Sequence, residues 1–167
     1  MPIARTILAE FNHEMANTRK VLERVPEEHA AWRPHPKSYS MGDLAMHIAN
    51  MPRWAVITCK QNELDLDPPG GRKDPKPTFQ TRRIMLDFFD DNVFAAVSAI
   101  ADATDDDMKA NWTLKNRGVE VFKLPRVAVV RSFVMNHMIH HRGQMTVYLR
   151  LKNVPLPAIY GNTADEK

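Results

Sequence analysis

The sequence predicts an all-α four-helix bundle: apolar residues recur at helical spacing over four long segments, prolines gather between those segments, and strand alternation is almost absent. The long connection between the second and third segments means the topology need not be simple up-and-down. At 167 residues one core suffices, so residues 1–167 are read as a single domain.

The first helix is expected from about Ala4 to Arg24, with Ile7, Leu8, Phe11, Met15, Thr18 and Leu22 on one stripe and Pro26 just beyond its end. Pro34 and Pro36 exclude helix from the loop that follows. Ser40 stands three residues before Asp43, close to a capping box, and announces a second helix from about Met41 to Asn62. Its stripe holds Leu44, His47, Met51 and Trp54, and Pro52 inside it predicts a kink or a break. The Pro- and Gly-rich segment from Asp65 to Pro77 reads as a crossing loop, mobile enough to act as a lid.

A third helix is expected from about Thr78 to Ala103, with Thr104 to Asp107 closing it or capping a short turn. Residues 111–125 are ambiguous, having a turn signal at Asn116 to Gly118 and β-branched residues after it. The fourth helix runs from about Arg126 to Lys152, and the tail beyond it is extended or irregular.

Charge narrows the function. The 23 basic and 20 acidic residues are scattered, and a net charge of +3 without a basic stripe argues against a nucleic-acid partner. No apolar run reaches the roughly 18 residues a membrane helix needs, and Glu10 interrupts any signal-peptide core, so a cytoplasmic location is expected. The one cysteine, Cys59, has no partner for an internal disulfide and no base beside it, which makes a core thiol a better reading than a nucleophile.

Histidines carry the chemistry. His137 and His141 are four apart in the fourth helix and lie one turn apart on the same face, as two ring nitrogens must to meet one ion. Their stripe continues through Val130, Val134, Met145 and Tyr148, so both face the core or a cleft in it. His47 faces inward from the second helix and can complete a three-imidazole set, which leaves a divalent metal open to substrate. Buried, hydrogen-bonded histidines would explain the same spacing without an ion. His140 points about 100° from His141 and belongs to an outer layer or the pocket mouth. His35 lies between two prolines and suits a loop role, and His13 and His29 read as surface residues. The zinc-protease motif fails at Asn17, where a second ligand is needed. The di-iron bundles need paired E-x-x-H helices, and no such pair is present.

With these residues placed, the chain resembles the DinB/YfiT-like family over nearly its whole length. The likeness rests on FNHEMANTRKVLERVP, WRPHPKSYSMGDLAMHIA, WTL, LPR and above all NHMIHHRGQMTVYLRLKNVPLPAIYG. It implies a four-helix bundle, often a homodimer, whose three-histidine site falls on His47, His137 and His141. Relatives commonly have paired glycines after W-T-L, where this chain has Asn116, Arg117 and Gly118. The resemblance further implies a metal-dependent enzyme that activates a thiol, in the manner of S-transferases using a low-molecular-weight thiol, on a small-molecule substrate. Gln144 and His140 are candidates to orient substrate or ligands, and Arg142 or Arg150 to hold an anionic thiol. Metal-dependent hydrolysis uses the same ligands, and a non-enzymatic bundle binding a metal or small ligand is the reading from another class. The expected ion is zinc or nickel, with iron and manganese as alternatives.

Overall fold

In the computed structural model, which describes residues 2–71 and 76–166, a helical bundle carries a small sheet. The elements are α1 (Ile3–Leu22), a 3-10 turn (Glu27–His29), α2 (Met41–Lys60), β1 (Glu63–Asp65), α3 (Arg82–Ala101), α4 (Asp105–Lys109), β2 (Asn111–Asn116), β3 (Val119–Pro125), α5 (Arg126–Val129), a π-helical stretch (Val130–Asn136) and α6 (His137–Leu151). None of the described helices is long and apolar enough to cross a membrane.

The four expected helices are present. Ser40 Oγ accepts the Asp43 N–H at 3.1 Å and donates to the Asp43 carboxylate at 2.8 Å, so the start of α2 forms where the sequence signals it. The helix runs through Pro52 without the break that proline suggested. Thr104 and Asp107 form a full capping box on the short α4. Where α1 and α6 meet, Arg142 and Glu14 pair at 2.7 Å with side chains 2% and 8% exposed. Tyr160 donates to the same carboxylate at 2.7 Å, which pins the C-terminal tail to the bundle.

The all-α expectation is wrong. Residues 111–125 are a β-hairpin, and β1 joins it to make a mixed sheet in the order β1-β2-β3, parallel between β1 and β2 and antiparallel between β2 and β3. The protein is therefore α/β, mainly helical. Arg117 and Gly118 both take positive φ, 53° and 76°, which matches the twist of a two-residue hairpin turn. Trp112 and Leu114 point inward and are buried, while Thr113 and Lys115 alternate outward. Asp65, at the end of β1, accepts the backbone N–H groups of Arg117 and Gly118 at 3.0 and 2.7 Å. The crossing loop thus begins as a strand, and residues 72–75 of the expected lid lie outside the described residues.

Two apolar clusters form the interior. The larger lies among α1, α2, α3 and α6, around Phe11, Leu22, Leu44, Ile48, Met51, Phe89 and several methionines. The smaller backs the sheet, with Trp112, Leu114 and Val129 packed by Ile57, Leu66, Phe122 and Phe133. The sheet therefore covers one flank of the last helix just before the histidine pair.

Candidate metal centre

Two elements bring the three histidines together: α2 carries His47, and α6 carries His137 and His141. Their mutual placement starts at Arg126, which is buried at the head of α5. Its guanidinium donates to the Thr58 and Gln61 carbonyls at 2.8 and 3.1 Å and to Asn62 Oδ1 at 2.7 Å. These acceptors lie in the last turn of α2 and just past it, where backbone carbonyls lack helical partners. One buried arginine thus ties the C-terminal end of α2 to the start of the segment that leads into α6.

The π-helical stretch follows, and such widened turns often sit beside functional residues. It buries Val130 and Val134 in the main core and carries Phe133 into the smaller cluster. Phe133 stacks on Trp54 of α2, with centroids 4.9 Å apart and planes at 11°. Trp54 also meets His47 edge-on at 5.8 Å and His137 at 5.6 Å. An aromatic wall therefore backs two of the three imidazoles.

One ring nitrogen from each of His47, His137 and His141 lies within 4.8 Å of the others. His137 Nε2 and His141 Nε2 are 2.9 Å apart. The remaining nitrogen of His141, Nδ1, lies 2.7 Å from Gln144 Oε1 and must donate, because an amide oxygen only accepts. His137 has a hydrogen-bonding contact with the Phe133 backbone. With its Nδ1 donating to Gln144, a neutral His141 leaves Nε2 bare toward His137 Nε2. A cation that both nitrogens ligate would satisfy this pair.

All three rings favour the neutral state. Burial pushes His47 down to about 4, helped by the neighbouring His141 and His137 and by Lys76. His137 is lowered by burial and then by His141, against the opposing bond to Phe133. His141 is lowered by burial, although its bond to Gln144 works the other way. Uncharged imidazoles at neutral pH are the protonation state that a metal needs. The residues present therefore fit one divalent ion.

Beside His47 opens a cleft of about 320 Å³, lined also by Tyr39, Asn50, Trp54, Leu66 and Lys76. The remaining sequence candidates sit apart from it or support it. Gln144 holds His141, as described. His140 is exposed, its ring 5.0 Å from that of His141. Neither arginine suggested for an anion is free for that role: Arg142 is paired with Glu14, and Arg150 with Asp165. Tyr39, Asn50, Phe133 and Lys76 went unnoticed in the sequence. Phe133 lay within reach, four residues before His137 on the same helical face. Tyr39 and Lys76 stand in loops, where no periodicity marks them.

The model of the DinB family matches residues 1–166. The uncharacterized protein YrdA of Bacillus subtilis (strain 168) is 26% identical over 163 residues, spanning 95% of this chain and 89% of YrdA. Among solved structures, a DinB-like protein from Bacillus cereus ATCC 10987 superposes with a TM-score of 0.69 at 23% identity, over 92% of this chain and 95% of that one. The DinB-like protein YjoA of Bacillus subtilis gives 0.65 at 17% identity, over 94% and 99%. At these identities the two structures speak for the fold alone.

Proposed function

The chain belongs to the DinB family, and from that premise we propose that it is a divalent-metal enzyme in which His47, His137 and His141 hold one ion beside a small-molecule cleft. The observation that carries this reading is the convergence of one nitrogen from each of three imidazoles within 4.8 Å, two of them Nε2 atoms 2.9 Å apart. Nothing in such a set is charged before the ion arrives, so the ion keeps its full Lewis acidity.

A divalent ion held by three imidazoles supplies an open coordination position and lowers the pKa of a thiol or water that reaches it toward neutrality. The protein's own residues supply the rest. His141 is oriented by Gln144, and His137 contacts the Phe133 backbone, which limits how far the two rings turn when an ion enters. Trp54 shields His47 and His137 on one side and leaves the cleft as the approach for substrate. Attack by a thiol on a small electrophile is the reaction class we assign, and hydrolysis would use the same centre.

Elemental analysis of untagged protein, followed by zinc and nickel titration of metal-free wild type and of His47→Ala, His137→Ala and His141→Ala, tests the reading. One equivalent of tightly held metal in wild type, lost in each variant, is the expected result. Stoichiometric binding that survives all three substitutions would place the ion elsewhere. Turnover of electrophiles with and without added thiol then separates transfer from hydrolysis.

A further inference from the structure

We propose that the cleft beside His47 takes a ligand bearing a compact oxyanion, carboxylate or phosphate, held by Lys76 over the face of Tyr39. The proposal rests on the metal reading above, because the opposite end of the same ligand meets the ion.

Charge is the first argument. Lys76 is the one charged side chain lining the cleft among the described residues; its other walls are aromatic, aliphatic, amide or imidazole. The carboxylates nearest in sequence to the lining residue Leu66 are turned away from it. Asp65 is occupied by the backbone of the hairpin turn, and Asp67 pairs with Arg117 at 2.8 Å. No described carboxylate pairs with Lys76. A cleft with low-dielectric walls and one sign of charge concentrates ligands of the opposite sign.

Position is the second argument. The Lys76 ammonium sits 5.2 Å from the Tyr39 ring centroid, and the Tyr39 ring sits 5.7 Å from that of His47. Tyr39 therefore neighbours both the cation and the imidazole, and its ring fixes where a long, flexible lysine ends. A molecule with a metal-seeking group at one end and an anion a few bonds away spans the two. Asn50 lines the same cleft, and its buried Oδ1, without a partner among the described residues, is an acceptor for a donor group on the ligand rather than for the anion itself. Selection of anionic ligands would then come from a loop residue, while the helices supply the ion.

The test uses full-length protein loaded with cobalt(II), whose ligand-field absorption changes when a thiol enters the coordination sphere. Two probes of equal length are titrated, 3-mercaptopropionate and its neutral amide 3-mercaptopropionamide, into wild type, Lys76→Ala and Lys76→Arg. The reported quantity is the ratio of the two affinities in each protein, which cancels intrinsic differences between the probes when proteins are compared. Wild type and Lys76→Arg should prefer the carboxylate by about fivefold more than Lys76→Ala does, the size of one partly exposed charge pair. Cobalt affinity should be the same in all three, since Lys76 is not one of the residues that would ligate the ion. An unchanged ratio in Lys76→Ala, with cobalt still bound, overturns the anion site and leaves the metal centre standing. Failure of wild type to bind cobalt at His47, His137 and His141 overturns both.

Discussion

His141 Nδ1 stands 2.7 Å from Gln144 Oε1, just under one turn further along α6. Because that oxygen can only accept, Gln144 decides which nitrogen of His141 is left bare. It is an exposed residue with no packing role, so its substitution isolates this effect. Gln144→Leu should leave the fold intact and weaken metal binding by about tenfold or more, the usual cost of losing such an orienting bond. Gln144→Glu, which still accepts, should retain most of the affinity. Competition against a chelating dye gives both numbers.

The depressed histidines make stability depend on pH in a definite direction. In the unfolded chain these rings titrate near their ordinary 6.5, whereas in the native protein His47 resists protonation down to about 4. Below 6.5 the unfolded state binds protons that the native state refuses, so stability present above that value is lost as pH falls toward 4. Metal-free protein should show a melting temperature that drops steadily from pH 7 to pH 4.5, and His47→Ala should flatten that slope. Melting curves in excess chelator over this range provide the check. A flat wild-type profile would mean that the three rings are not held neutral by the fold.

The buried Arg142 and Glu14 pair makes a different demand. Arg142 also reaches the Glu14 carbonyl at 3.1 Å and Thr18 Oγ1 at 3.2 Å, and the Tyr160 ring centroid lies 5.2 Å from its guanidinium, so α1 and the C-terminal tail enclose it. Glu14→Ala would leave that cation without its counter-charge, at a cost of about 3–5 kcal/mol. The double substitution Glu14→Leu with Arg142→Met removes both charges and should recover most of the loss. Urea unfolding of the two variants in chelator measures this without interference from metal.

How far the sequence reached can be judged from particular residues. That His47, His137 and His141 face one another could be read because helical periodicity places side chains on faces, and both helices carried long apolar stripes. The sheet was missed for two separate reasons. The hairpin had its turn residues in view, Arg117 and Gly118, but in isolation its short strands compete weakly with helix. The third strand, Glu63 to Asp65, has no local signal, since its pairing with β2 and the capping of the turn by Asp65 arise only in the folded chain. Lys76 and Tyr39 illustrate the same limit at the site. Loop residues acquire a common neighbour through tertiary folding, and nothing in their spacing announces it. Arg142 shows the converse, a cation in the most informative stretch of sequence that turned out to be committed to Glu14.

Whether the ion belongs to the fold or to the chemistry can be decided by His137→Ala. If metal held the bundle together, the metal-free protein would be unfolded, because binding energy would be part of folding energy. The structure argues otherwise. The main cluster is built from all the long helices and includes Phe11, Leu22, Leu44, Met51, Phe89 and Ile100, all nearly or wholly inaccessible. The Arg126 tie and the Arg142 pair join α2 and α1 to the last helical segment independently of the ion. The substitution should therefore abolish tight metal binding while the metal-free melting temperature moves by only a few degrees. A small loss is expected from contacts of the His137 ring with Trp54, Phe133 and His141. Wild type and variant are compared by thermal unfolding, each in excess chelator, and again with one equivalent of zinc. Zinc should raise the melting temperature of wild type by the linkage expected for its affinity and leave the variant unchanged. If metal-free wild type is already unfolded at room temperature, the ion is structural, and the case for catalysis at this centre loses its footing.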